Sequence, residues 1–213
     1  MKLARTLSDA EAKKIQTLIL LGGFSTTLAM WTRLEDPVNL PKMFVLGFFS
    51  VIILSQTLPQ ILLNLQNRSN QKLISTLLIV FFLIGLLVAT FETKVKFTAI
   101  FGEYHRNNGF LSYFGMTILM FATSLVFDAK SSIKFLQSFS ITGMFLTLYG
   151  LLQGLGLDPI GWKIDYNPFI TTLGNPNFTS GFLGLTNVAL LYLLLEAKLR
   201  KLQISYLLSL IFS

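Results

Sequence analysis

The chain has 213 residues, of which 53% are hydrophobic and only 13% charged. Soluble domains carry about 25% charged residues, so this composition excludes an ordinary water-soluble globule and predicts an all-α, multi-pass membrane protein. The absence of cysteine and the single histidine exclude disulfides, thiolate chemistry and a metal site built from several such residues. The net charge of +7 suits basic loops beside a lipid bilayer, and we expect no nucleic-acid partner.

Uncharged stretches between charged residues predict the spans, because about 20 apolar residues cross a bilayer. The first 14 residues form a cytoplasmic segment, in which Ser8 and Glu11 have the spacing of a helix capping box. Residues 15–213 are predicted to form a polytopic transmembrane helical bundle with six full spans and a truncated seventh. The predicted spans are 15–32, 43–62, 73–91, 109–127, 135–157, 178–195 and, partial, 202–213.

The last predicted stretch has 12 apolar residues and would reach about 18 Å at 1.5 Å per residue. An open helix end inside lipid leaves carbonyl groups without partners. We therefore expect the sequence to be incomplete at its C-terminus, as part of a longer protein. A short re-entrant or interfacial tail is the alternative.

Lysine and arginine counts predict the orientation. Eleven of the 17 fall in segments 1–14, 63–72, 128–134 and 196–201, and six fall in the segments that alternate with them. Because basic residues accumulate on the cytoplasmic side, the N-terminus is predicted to be cytoplasmic. In the fifth span, Gly143, Gly150 and Gly154 indicate either a close helix contact or the ordinary glycine content of membrane helices.

The first polar loop on the predicted outer face is Gly102–Gly109. Arg106 borders the hydrocarbon, where an arginine either binds an anion through its planar fork of donors or extends toward the interface. Asn107 and Asn108 would add neutral donors, and Gly109 would permit close backbone approach. His105 has the pKa range of a general base, but a lone loop histidine is more often a solvated side chain.

The second polar loop on that face precedes the sixth span. Asn175 and Pro176 form a turn signal, and Asn177 is predicted to cap the following helix. With Thr179 and Ser180 in its first turn, the helix N-terminus would receive a phosphate or a sugar hydroxyl.

These two loops resemble a known family. The segment Gly102–Tyr113 is similar to G-x-x-x-R-x-x-G-[FL]-[LF]-x-Y of the bacterial O-antigen ligase/polymerase superfamily. The segment Thr172–Phe178 resembles the T-x-G-N-P-N-F motif that follows in the same proteins. The order of the motifs and their separation of about 70 residues also agree, and the resemblance covers most of the chain as an N-terminal half.

The resemblance implies a membrane glycosyltransferase in the bacterial cytoplasmic membrane. It would transfer a glycan from a polyprenyl-diphosphate carrier to a glycan, lipid-core or protein acceptor on the outer face. No cofactor or metal is implied, because the donor already carries its leaving group. Arg106 would bind the diphosphate, and Asn107, Asn108, Gly109, Asn175 and Asn177 would shape the pocket. The catalytic residues stay unknown, because the family's catalytic histidine lies in a later outer loop and His105 does not occupy its position.

Two other functions fit the same residues. An anion transporter, of the bicarbonate kind with which some superfamily members have been labelled, would use an outward arginine to attract its substrate. A non-catalytic membrane scaffold would leave Arg106 in bulk water, away from Asn175. For the glycosyltransferase we expect Arg106 and Asn175 to approach one another on the outer surface.

Overall fold

A computed structural model describes residues 7–66, 70–160, 162, 169–197 and 200–212. The regular elements in these ranges are helices, which confirms the all-α prediction. One 3₁₀ turn, Thr171–Leu173, accompanies eight α-helices: α1 Asp9–Leu28, α2 Asn39–Gln66, α3 Asn70–Glu92, α4 Lys96–Phe101, α5 Phe110–Val126, α6 Ala129–Gly154, α7 Pro176–Glu196 and α8 Arg200–Phe212.

Among the described residues, three helices are long and apolar enough to cross a membrane: Asn39–Leu63 of α2, Ala129–Gly154 and Pro176–Glu196. They correspond to three of the six full spans predicted from the sequence. The described apolar helices Thr76–Glu92 and Phe110–Val126 are shorter. At 17 residues α5 is about 26 Å long, which is less than the hydrocarbon thickness of about 30 Å. Helix α1 is not among the three because charged residues crowd its first half.

The chain divides into two compact units, and each is described by itself. Unit 1 consists of residues 1–22 and 43–127, and unit 2 of residues 23–42 and 128–213. The units therefore do not follow the order of the helices along the chain, because α1 and α2 each contribute residues to both units. Folding of each unit joins segments that are distant in sequence.

Unit 1 has a core of aliphatic side chains from three helices. Ile15 and Ile19 of α1 pack with Ile53 of α2, and α5 adds Ile118, Ala122 and Val126. The helices approach closely where side chains are small: a Cβ on Gly22 would lie 3.0 Å from the Phe49 ring. Gln16 Nε2 donates to the carbonyl of Val126, which places the start of α1 beside the end of α5.

Unit 2 is built from α6, α7 and α8. Thr186 of α7 fills the space beside Gly143 of α6, where a Cβ would meet the Thr186 methyl carbon at 2.3 Å. Gly154 lies against the Phe169 ring in the same way, at 2.7 Å. Of the two interpretations of these glycines, close packing is therefore the one that the structure supports.

Two helices begin with side-chain caps. Ser8 N donates to Glu11 Oε2 at 2.7 Å and Glu11 N donates to Ser8 Oγ at 3.3 Å, so the predicted capping box is confirmed. Asp128 and Ser131 form a second box at the start of α6. The hydrogen bonds from the Ser131 side chain and backbone lower the pKa of the exposed Asp128 carboxyl, because they favour its ionised form.

Candidate functional site

The arginine loop, residues 102–109, connects α4 to α5 in unit 1. It is closed by its two glycines: a Cβ on Gly109 would lie 2.2 Å from the Gly102 amide nitrogen, and a Cβ on Gly102 would lie 2.1 Å from the Asn108 nitrogen. Gly102 also has φ +96°, a conformation that side chains strongly disfavour. The loop therefore needs glycine at both positions to close.

Arg106 is an exposed residue of the arginine loop. Its side chain is 72% exposed, and NH1 lies 3.5 Å from Glu103 Oε2, which is itself 66% exposed. An exposed ion pair one helical turn apart contributes only about 0–1 kcal/mol. Glu103 therefore holds Arg106 weakly, and an anion with two acceptor oxygens can replace it.

The neighbouring asparagines take part in the loop itself. Asn108 Oδ1 accepts a hydrogen bond from the Glu103 amide at 3.3 Å, across the loop. The Asn107 carbonyl accepts one from Ser112 Oγ at 2.5 Å, which ties the loop to the first turn of α5. Asn107 also has positive φ, 49°, a conformation that asparagine tolerates better than most residues. Both residues thus support the loop, and their role as pocket donors stays a prediction.

His105 lies at the tip of the loop. It is exposed and has φ 62°. The centroid of its ring lies 4.0 Å from the centroid of the Tyr104 ring, in an edge-on arrangement. Its exposure is compatible with both sequence interpretations of this residue, which stay predictions. A role in proton transfer receives no support from these contacts.

The asparagine turn, residues 171–177, lies in unit 2 and leads into α7. Asn175 caps this helix, because its Oδ1 accepts from the Asn177 amide at 2.8 Å. Pro176 is the first helical residue, where its missing N–H costs nothing. The prediction that Asn177 is the cap is wrong, since the helix begins two residues earlier. Asn177 is exposed and leaves its side chain at the surface.

Two buried threonines connect the 3₁₀ turn to the first turn of α7. Thr171 Oγ1 and Thr179 Oγ1 are 2.8 Å apart, and Thr179 Oγ1 also donates toward the Asn175 carbonyl at 3.1 Å. Thr179 was predicted as a ligand group in the first turn of the helix. It is 7% exposed, so it supports the turn rather than facing a ligand. Ser180 Oγ is exposed and donates to the Asn177 carbonyl at 3.1 Å.

Sequence reasoning missed a polar network that anchors the turn to α6. Gln153 is 4% exposed; its Oε1 accepts from the Thr171 amide at 2.8 Å and its Nε2 donates to Asp158 Oδ2 at 2.8 Å. Tyr149 OH donates to Asp158 Oδ1 at 3.0 Å and accepts from Trp162 Nε1 at 2.8 Å. A glutamine inside an apolar span was the available signal, because a buried amide requires partners.

The segment before α2 also packs on the asparagine turn. Thr172 Oγ1 donates to the Thr27 carbonyl at 3.0 Å. A Cβ on Gly174, which has φ +70°, would lie 2.8 Å from a methyl carbon of Val38. The Lys42 ammonium donates to the carbonyls of Thr26, Thr27 and Ala29 at 3.2, 2.5 and 3.0 Å, and so caps the end of α1. These contacts fix the turn from a second side.

The two loops belong to different units, Arg106 to unit 1 and Asn175 to unit 2. Their predicted approach on one surface therefore stays a prediction. Within the residues that the structure describes, there is no group of three or more His, Cys, Asp or Glu side chains that could hold a metal ion. The loops thus offer one exposed guanidinium, exposed amides and a helix N-terminus.

Comparisons of the chain with protein-family models, with curated protein sequences and with solved structures gave no match. The resemblance to the O-antigen ligase/polymerase superfamily accordingly stays a prediction based on the two loop segments.

Proposed function

We propose that this chain acts in glycan transfer of the O-antigen ligase/polymerase type. The donor is a glycan on a polyprenyl diphosphate, and the acceptor is a glycan, a lipid core or a protein on the outer face of the bacterial cytoplasmic membrane. In this proposal the N-terminus is cytoplasmic, and α1, α3 and α5 span the bilayer together with α2, α6 and α7. The single observation that supports it is the closed arginine loop.

The spacing of Gly102, Arg106 and Gly109 gains a physical reason from that loop. The two glycines are required where the backbone closes on itself, and the exposed residues between them include Arg106. A loop whose backbone is closed at its base and which exposes an arginine is suited to bind an anionic group.

The diphosphate is the part of the donor that this arginine fits. Negative charge accumulates on the diphosphate as its bond to the glycan breaks, and a guanidinium bound to the diphosphate stabilises that charge. The planar fork of donors matches two phosphate oxygens, which compete successfully with the weakly held Glu103 carboxylate. No metal or nucleotide is required, because the leaving group is already activated.

The asparagine turn has a supporting role in the proposal. Asn175, Thr172 and Gly174 are each used in building the turn, through the helix cap, the bond to Thr27 and the contact with Val38. Of the two asparagines in the motif, Asn177 is the exposed one, in the first turn of α7. It is therefore the asparagine that we assign to the rim of the donor pocket.

The test is a binding titration of the chain in lipid nanodiscs with undecaprenyl diphosphate. Arg106→Ala should weaken binding by about 10-fold or more, since hydrogen bonds to a charged group contribute about 1.5–3 kcal/mol. Arg106→Lys should recover part of the affinity, because a lysine keeps the charge and loses the fork.

Arg33→Ala is the matched control, because Arg33 is also an exposed arginine and lies outside both motifs. Equal affinity of the Arg106→Ala and Arg33→Ala variants would overturn the assignment. Intact helix content of each variant, measured by circular dichroism, separates a lost ligand contact from a lost fold.

A further inference from the structure

Several lysines lie at one end of unit 2. Gln137 Nε2 of α6 donates to Tyr206 OH of α8 at 2.9 Å, and further along both helices Ser209 Oγ lies 3.2 Å from Met144 Sδ. The two helices therefore run in the same direction, and their first turns lie at the same end of the unit. Lys130 and Lys134 are in the first turns of α6, and Lys201 is in the first turn of α8.

These three residues define the basic end. All three side chains are exposed. The described carboxylates near them are Asp128, which is hydrogen-bonded in the capping box, and Glu196 at the end of α7. Positive charge therefore exceeds negative charge at this end.

Apolar side chains adjoin the lysines along the chain. Phe135 follows Lys134 and is 39% exposed, Leu202 follows Lys201 and is 41% exposed, and Leu195 near the end of α7 is 77% exposed. A surface that binds nucleic acid or an acidic protein domain would leave these groups in water. A phospholipid matches both parts, because its phosphate pairs with ammonium groups and its acyl chains cover apolar side chains.

We propose that the basic end binds the phosphodiester headgroup of an anionic phospholipid, with its acyl chains along Phe135, Leu195 and Leu202. The site is distinct from the arginine loop, which lies in unit 1. It is also distant from the asparagine turn, because α6 starts at the basic end and its 26 residues extend about 39 Å to the Gln153 network. Lipid binding at the basic end does not require glycan transfer by the chain.

The experiment measures lipid binding to the full chain in a neutral detergent, by native mass spectrometry during titration with phosphatidylglycerol or with phosphatidylcholine. The wild-type chain should prefer phosphatidylglycerol. The variant Lys130→Gln/Lys134→Gln/Lys201→Gln should lose about 10- to 100-fold in affinity for it, because each basic residue near an anionic lipid contributes about fivefold.

The control variant Arg33→Gln/Lys94→Gln/Lys96→Gln removes the same number of positive charges from other exposed positions. It should retain the wild-type affinity. An equal loss in both triple variants would overturn the proposal, since the effect would then come from net charge alone. Equal binding of both lipids by the wild-type chain would also overturn it.

Two additions complete the experiment. Glycerol phosphate should compete only weakly, because it lacks acyl chains; full competition at equal concentration would assign the site to free phosphate and refute a lipid site. If the triple variant loses its helical circular dichroism signal, the single variants Lys134→Gln and Lys201→Gln replace it. Each should then lose about fivefold, and unchanged affinity in both would refute the site.

Discussion

Gly109 illustrates what a single residue contributes to the arginine loop. Its place in the sequence indicated close backbone approach to a ligand, and the structure shows close approach to Gly102 instead. The spacing could be read from the sequence, but the partner could not, because it depends on how the chain between the two glycines folds. The exposed arginine between them is the part of the candidate site that sequence reasoning located.

Replacement of Gly109 by alanine tests the closed loop. The new Cβ would lie 2.2 Å from the Gly102 nitrogen, so backbone must move, and the free energy of unfolding should fall by about 1–3 kcal/mol. Chemical unfolding in detergent micelles, followed by circular dichroism, measures this. Gly85→Ala in α3 is the control, since nothing lies within 4 Å of its Cβ. Its free energy of unfolding should rise by about 0.5–1 kcal/mol, because alanine favours a helix over glycine. A stability of Gly109→Ala equal to wild type contradicts the loop geometry.

The cap of α7 shows why a local prediction fails by two residues. From the sequence, Asn175 and Pro176 were assigned to a turn outside the helix and Asn177 to its cap. Proline is well accommodated at the first helical position, so the helix starts at Pro176 and Asn175 becomes the cap. Thr172 and Gly174, just before this cap, contact Thr27 and Val38, which are distant in sequence.

At the scale of elements, α6 and α7 pack through small and hydroxyl-bearing side chains. Gly143 of α6 meets Thr186 of α7. Near the other end of α6, a Cβ on Gly150 would lie 3.3 Å from the methyl carbon of Thr171 in the 3₁₀ turn. In lipid the hydrophobic effect does not drive helices together, so close van der Waals contact and hydrogen bonds stabilise such pairs. The glycine spacing in the sequence left a close helix contact and ordinary glycine content both open, and the partner helix came only from the structure.

A double-mutant cycle tests this contact. Gly143→Ala should lower the free energy of unfolding by about 1–3 kcal/mol, because its Cβ meets Thr186 Cγ2 at 2.3 Å and Oγ1 at 2.6 Å. Thr186→Ala removes both atoms, so the double variant should be more stable than the sum of the two single changes indicates. Gly184→Ala on α7, with open space around its Cβ, is the control. Strictly additive effects would show that the helices do not meet here.

Charged residues were used to place the ends of the predicted spans, and for α6 they do not coincide with the ends of the helix. The fifth span was predicted to begin at residue 135, but α6 begins at Ala129 because the Asp128–Ser131 box starts the helix before its lysines. It was predicted to end at residue 157, and it ends at Gly154, before Gly156 with φ +72°. The polar network around Gln153 was missed because its partner Thr171 comes 18 residues later.

At the scale of the whole molecule, composition was sufficient for the class and insufficient for the arrangement. A low share of charged residues predicts helices in lipid, and three helices have the required length and composition. The division into two units was not predicted, because apolar helices are alike in composition and choose partners by shape. Segment 23–42 joins unit 2 although most of its sequence neighbours belong to unit 1.

The predicted topology can be mapped because the chain lacks cysteine. Single cysteines at Tyr104 and Asn177, both exposed, should react with a membrane-impermeant maleimide in intact cells. Cysteines at Lys130 and Lys201 should react only after permeabilisation, since basic residues favour the cytoplasmic side. The cysteine-free chain provides the background. Labelling of Tyr104 and Asn177 from opposite sides would eliminate a shared outer surface.

The carbonyl of Thr27 accepts hydrogen bonds from both Lys42 and Thr172, and Thr172 is 145 residues further along the chain. During synthesis the corner between α1 and α2 can form its lysine contact early, but it meets its second partner only after α6 has left the ribosome. The corner between α1 and α2 therefore stays incomplete until Thr172 has folded against it. Its maturation is coupled to the translation of the helices that complete it.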